Sequence, residues 1–377
     1  MAAGAAYAAG SSATIDQIGT VETATVDQTN GNNDTATVTQ GAGTGANDAY
    51  NHASVTQAGS GNAATVNQSQ DGYGLANPSN TLNSDQEGVN GAITVVQVGN
   101  NTATVNQQGS SNNETVLVGQ SNNFNTANVV QNGVQETAVV NQQDGTTNQA
   151  SINQSGTGTY AYTQPYNIKV PGPGDLARSE NIPGNSVLPG AGAGNTVYGP
   201  VGAIIDQIGS NNVGSISQQG TWNFASVSQD SPGGNNGSVT QTSGNYYSDA
   251  VTYQAGSGNV ANLQQVGAGI NYNVAWQNGT GNQAYATQTS GAGGDSSTIE
   301  QGFYPDPGFA YYTLDSYLAS DGPVTGDYAS VSQNGANDTS LVHQYGNYDT
   351  AYVVQGQSGA SATINQGGSS NWAYIHQ

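Results

Sequence analysis

Glutamine returns about every eleven residues along almost all of this 377-residue chain, and the residues ahead of it return in step. Aligned on A-x-V-x-Q, twenty-six glutamines from Gln17 to Gln377 serve as anchors, and Gly119 fills a further slot within ETVLVG. The remaining columns are not fixed by that alignment, so they test it. Two residues before the anchor, 22 of 27 positions are Val, Ile or Leu; four before, 18 are Ala; six before, 21 are Asn, Asp or Glu. Chance does not align three columns this way, so the period marks a structural unit. After Gln207, the stretch to Gln229 holds two such units: Asn212, Ile216 and Gln218, then Asn223, Ala225, Val227 and Gln229. Late anchors such as Gln344, Gln355 and Gln366 keep the same period.

Residues spaced by two share one face of a strand, so Asn62, Ala64, Val66 and Gln68 point one way and Ala63, Thr65 and Asn67 the other. A helix would scatter them around its circumference. Past the anchor comes a G-containing stretch such as Ala58-Gly59-Ser60-Gly61, supplied with residues that tolerate positive φ. Each unit is therefore read as one short strand and one turn. All eleven prolines lie outside the A-x-V-x-Q cores, as a ladder that needs every N–H requires.

Only 34% of the residues are hydrophobic and 7% charged, a balance that would suggest disorder were the β-branched residues not at fixed places. The net charge is -22, and the only cations, Lys169 and Arg178, sit in one Pro/Gly-rich stretch. Phosphate contacts need Lys or Arg, so nucleic acid is excluded as an expected partner. No apolar run reaches the roughly 20 residues of a membrane span. MAAGAAYAAG lacks a basic n-region and is not read as an intact signal peptide. With no cysteine, disulfides and thiolate chemistry are out.

A lone strand and turn cannot bury a face, so copies must stack. Two strands per turn of chain, facing each other as two sheets, give an all-β, cross-β β-arch solenoid of about 13–14 rungs, with Ala and Val/Ile interdigitating between the sheets. Inward amides are expected to pair with the copies above and below, which leaves only the ends unsatisfied. Those ends, Ala13, Ile15 and Gln17 in the first strand and Asn371, Ala373, Ile375 and Gln377 in the last, carry no capping pattern and are expected to add further subunits head to tail into a fibre. The chain divides into an N-terminal segment (1–10), repeats (11–164, with an insertion at about 69–79), a Pro/Gly-rich insertion (165–202), repeats (203–301), an aromatic insertion (302–328) and repeats (329–377). Ser316, Leu318 and Ser320 resemble the degraded strand Asn80, Leu82, Ser84, Gln86 and suggest one more strand.

The pattern Q-x-G-x-x-N-x-A-x-V-x-Q, met at every specified place from Gln57 to Gln68 and from Gln277 to Gln288, resembles the curlin repeat of curli, the secreted functional amyloid of bacterial biofilms. The resemblance covers most of the chain. It implies a subunit that polymerises outside the cell into surface fibres, with other copies of itself as main partner and a nucleator, a chaperone and an outer-membrane secretion pore as accessory ones. This chain departs from that family in its number of repeats, its long 165–202 insertion and its use of Asn or Asp where alternate curli strands begin with Ser.

No catalytic, cofactor or metal site is expected. His343 and His376 each precede an anchor on the outward face, and on strands assigned to opposite sheets; His52 is also read as a surface residue. No G-x-S-x-G, H-E-x-x-H or calcium-binding nonapeptide is present, and an enzyme is not expected. The 21 tyrosines fit outward strand positions, and the segment 302–328 is a candidate lateral contact. Two other functions compete with the fibre: a monomeric acidic β-solenoid adhesin and, from T-A-T triplets such as Thr35-Ala36-Thr37, an ice-binding solenoid.

Overall fold

The computed structural model describes residues 10–18, 22–41, 50–69, 79–143, 145–157, 169–172, 175–182, 195–197, 202–221, 223–242, 248–290, 294–302 and 323–377. These residues contain strands, turns and bends but no helix. They fall into two compact units, Met1–Thr159 with Val201–Asn211, and Tyr160–Pro200 with Asn212–Gln377.

In the first unit one parallel sheet stacks Ser12–Ile18, Thr35–Gly41, Ala63–Ser69, Ala92–Val98, Thr115–Gln120, Thr137–Gln143 and Gly202–Ile208. The other stacks Thr23–Asn32, His52–Ser60, Thr81–Val89, Asn100–Asn112, Asn123–Gln131 and Gln149–Thr157. In the second unit one sheet holds Phe224–Gly233, Asp249–Ser257, Tyr272–Thr280, Ser296–Gln301, Thr339–Gln344 and Ser361–Gln366, with the short Val324–Thr325 beside Tyr272–Thr280. Its partner holds Val213–Thr221, Asn236–Gln241, Val260–Gly267, Gln283–Ser290, Tyr328–Gln333, Thr350–Gln355 and Trp372–His376. Repeat strands that follow one another in the chain alternate between the two sheets of their unit, so each turn is an arch between sheets and not a hairpin. The β-solenoid architecture expected from the period is the one observed.

Register follows the repeat column by column. Ala36, Val38 and Gln40 lie beside Ala64, Val66 and Gln68, and these beside Ile93, Val95 and Gln97. Since side chains alternate along a strand, this alignment puts the Ala column and the Val/Ile column of the repeat between the sheets. Val38, Val55, Val95, Ile152, Ile216 and Leu263 are all buried. Burial of each such side chain contributes about 1.5–3 kcal/mol, so the dry seam is the main apolar store of a chain otherwise poor in hydrophobes. The turns use backbone that few residues adopt. Asn33, Asn90, Asn211 and Asn337 have φ near 60°, a region where asparagine is tolerated because its side chain bonds locally. Gly59 (φ 131°) goes further, since a Cβ there would strike the carbonyl of Gly88 in the next rung.

The structure corrects the sequence reading in several places. The slot assigned to Gly119 belongs to Gln120: Val118 lies beside Val95 and Val140, and Gln120 beside Gln97 and Gln142. Tyr328 is not part of an insertion but opens a repeat strand, and Val324–Thr325 already pair. The anchor Gln142 has Gln207 as its neighbour, 65 residues on, so the rung jumps over Gln164, which lies outside the described residues, as do Ser316, Leu318 and Ser320. Within 165–202, Lys169–Gly172, Asp175–Ile182 and Asn195–Val197 form a separate three-stranded sheet. The expected alternation also fails in Thr137–Gln143 and Gly202–Ile208, where the outward Val139 and Ile204 are buried as well and Asn141 donates from Nδ2 to Asp206 Oδ1 at 2.9 Å.

Candidate functional site

The inward amides form continuous ladders of a single polarity. In the first unit Gln28, Gln57, Gln86, Gln107, Gln131 and Gln154 each donate from Nε2 to Oε1 of the next, at 2.8–3.0 Å. Gln17, Gln40, Gln68, Gln97, Gln120, Gln142 and Gln207 do the same in the facing sheet at 2.7–2.9 Å. In the second unit Gln218 bonds Gln241, and the chain of amides runs on to Gln333, Gln355 and Gln377. Its counterpart runs from Gln229 through Gln254, Gln277, Gln301 and Gln344 to Gln366.

One Nε2 proton thus goes along the ladder. The other crosses the seam: Gln40 donates to the Thr23 carbonyl and Gln57 to that of Thr35, on the facing sheet. Periodicity reveals the first bond, and nothing in it reveals the second. Together they satisfy an amide whose burial would otherwise be costly, and they tie the two sheets at the start of every strand.

The column six residues before the anchor performs a different task. Asn62 Oδ1 accepts from the Gly91 N–H at 2.9 Å, Asn212 Oδ1 from Asn235 at 3.2 Å, and Asn235 Oδ1 from Asn259 at 3.0 Å. Each side chain thereby receives the first backbone N–H of the following rung. Its Nδ2 then fills the arch, as when Asn223 donates to the Gln219 carbonyl or Asn259 to those of Ala255 and Gly279. The sequence marks Asn212 and Asn223 as strand-opening residues; the structure shows them as connectors between rungs.

In some rungs this column is acidic. Burial, reinforced by the Glu114 carboxylate, pushes Glu136 up to about 8, with the Gly156 and Asn132 amides opposing. Burial raises Asp327 to about 7, with the Asp349 N–H opposing and the Asp349 carboxylate adding to the rise. Both groups lie far above the ordinary carboxyl range because the charged form loses water and gains no cation.

The two terminal strands carry the same residue types as the interior but not the same burial. Ala13 and Ile15 are only half-buried and Gln17 is exposed; Asn371, Ala373 and Ile375 are half-buried and Gln377 is exposed. The ladders also stop unevenly. Gln28 Oε1 is buried without a partner among the described residues. Gln366 and Gln377 each donate to one backbone carbonyl, of Thr350 and Ser361, and have no further glutamine acceptor among the described residues. One end therefore presents an unfilled acceptor and the other a spare donor.

His52 is exposed at a strand start, His343 lies on the Thr339–Gln344 strand with its ring against Tyr345, and His376 is exposed on the last strand of the other sheet. Among the described residues no three His, Asp or Glu side chains converge as a metal centre would need. On the outer face Tyr285, Tyr328 and Tyr352 form a row with ring centroids 5.4–5.6 Å apart. No helix among the described residues is long and apolar enough to cross a membrane. No protein-family model matches the chain, and a search of the curated proteins finds no match.

Proposed function

We propose that this chain is a structural subunit that stacks end to end with other copies of itself into an extracellular, curli-like amyloid fibre at the cell surface. The observation that carries the reading is the complementarity of the two terminal strands, whose amides and apolar faces are unmatched among the described residues. A parallel strand edge, half-buried Ala and Ile, an unfilled Gln28 acceptor and the spare Gln366 and Gln377 donors are what another copy of the same rung would complete. Parallel, in-register stacking lets a joining subunit extend the ladders without new chemistry. The curlin-like repeat adds the expectation of a secretion pore, a chaperone and a nucleator as accessory partners, and of biofilm matrix or adhesion as the fibre's use.

Electron microscopy and fibre diffraction of the purified full chain test the proposal. Unbranched fibres with a meridional spacing of about 4.7–4.8 Å are expected. A chain that stays monomeric at micromolar concentration overturns it and favours a monomeric acidic solenoid adhesin.

A further inference from the structure

In the second unit one sheet carries two successive aspartates in the connecting column, Asp327 and Asp349, between Asn282 above and Asn371 below. Both carboxyl groups are fully buried. Their Oδ1 atoms do what asparagine Oδ1 does elsewhere: Asp327 accepts from the Asp349 N–H at 2.9 Å, and Asp349 from the Asn371 N–H at 2.8 Å. Their Oδ2 atoms, the counterparts of the asparagine Nδ2, have no partner among the described residues. In the asparagine rungs that atom is a donor, giving a proton to the carbonyl four residues upstream: Asn371 to Gly367 at 2.8 Å, Asn259 to Ala255 at 2.9 Å. A carboxylate has no proton to give, whereas a carboxylic acid does.

We propose that the Asp327–Asp349 stack is a proton-operated latch, in which one shared proton lets a buried carboxyl group make the arch-closing hydrogen bond that asparagine makes in the other rungs. The proton comes from water and sits on Oδ2, and by analogy with the asparagine rungs its acceptor is the carbonyl four residues upstream, that of Pro323 for Asp327 and of Tyr345 for Asp349. The stacked neighbours contribute no positive charge: Asp327 meets Asn282 and Asp349, and Asp349 meets Asp327 and Asn371, whose Nδ2 also donates to Asp349 Oδ1 at 3.0 Å. The strands that follow the two aspartates carry the phenols of Tyr328 and Tyr352, and Tyr348 lies in the turn just before Asp349. The two carboxyl groups stand one rung apart in the same column, so negative charge on both at once would be repulsive. Asp338, in the facing sheet, is the internal contrast: its Oδ2 accepts from the Gly335 N–H at 3.1 Å.

The sign follows from the folded state holding a proton that the unfolded chain releases. Asp327 is raised from 3.8 to about 7, so the stabilisation is complete below pH 4 and is lost as pH rises through about 7. The latch acts within one folded chain and does not depend on polymerisation.

The test is the denaturant midpoint of the full chain, read by circular dichroism between pH 5 and 8, for wild type, D327N/D349N and D338N. A pKa shift of one unit is a tenfold change in the folding equilibrium, so wild type is expected to lose at least tenfold between pH 5 and 8. D327N/D349N should make that dependence at least tenfold shallower, leaving the part carried by the raised Glu136 and Asp249, and should exceed wild type at pH 8. D338N should give no such gain, because its new amide would face the Gly335 N–H. A D327N/D349N chain with the wild-type pH dependence, or one less folded than wild type at pH 8, overturns the latch; fibre formation is scored separately and bears only on the proposed function.

Discussion

The strands Ser12–Ile18 and Thr35–Gly41 read SATIDQI and TATVTQG, nearly the same sentence, yet the first leaves Ala13 and Ile15 half-exposed while the second buries Ala36 and Val38 almost completely. The difference is not in the strands but in their neighbours. Thr35–Gly41 has a rung on either side, and among the described residues Ser12–Ile18 pairs on one side only. Burial in this molecule is a property of the stack, and the same repeat is core or sticky edge according to whether another copy lies against it.

Placing a charge in the seam breaks this comparison most severely. V38D puts an unpaired carboxylate between the sheets and is expected to cost well over 4 kcal/mol, abolishing the β signal in circular dichroism. I15D should leave that signal largely in place while stopping fibre elongation, and an I15D chain that elongates at the wild-type rate would remove the end strand from the proposed interface. The turns come next. G59A strains a φ of 131° and drives a Cβ into the Gly88 carbonyl, for an expected loss of about 2–4 kcal/mol. G281A, with φ 70° and open space around the new methyl, should lose about 1 kcal/mol in the same denaturation experiment.

The amide ladders sharpen the comparison further. Q57L orphans the Gln28 Nε2 proton, the Gln86 Oε1 and the Thr35 carbonyl, an expected loss of about 2–3 kcal/mol. Q17L at the exposed edge should lose under about 1 kcal/mol. N259D swaps an arch donor for a carboxyl group and is expected to lose about 1–2 kcal/mol at pH 8, with recovery as pH falls toward 5, read from denaturant midpoints. H376A, on an exposed outward position, should stay within about 0.5 kcal/mol of wild type.

Most of the fold was legible because the inward columns repeat so faithfully. The slip at Gly119 shows where legibility fails: TVLVGQ is apolar on both faces, so a period of two cannot choose between Leu117 and Val118 as the inward residue, and only the neighbours Val95 and Val140 decide. The step from Gln142 to Gln207 failed for a related reason, since Gln164 offered an acceptable glutamine at nearly the right distance while the strand that fills the rung is Gly202–Ile208. At the candidate site, the glutamine ladder was visible as a column. The cross-seam bond to Thr23 or Thr35 was not, because its acceptor is a backbone carbonyl and carries no residue signature.

By itself the sequence determined the strand-and-turn unit, its inward face and the parallel stacking, because a period of two within a period of eleven admits no other way to bury Val and Ile. Only the tertiary structure decided which rung lies beside which, which amide proton crosses the seam, and which buried carboxyl groups lack a donor. Those are matters of distance between residues 16 to 65 positions apart, set by how the arches and insertions close and not by the composition of any one repeat.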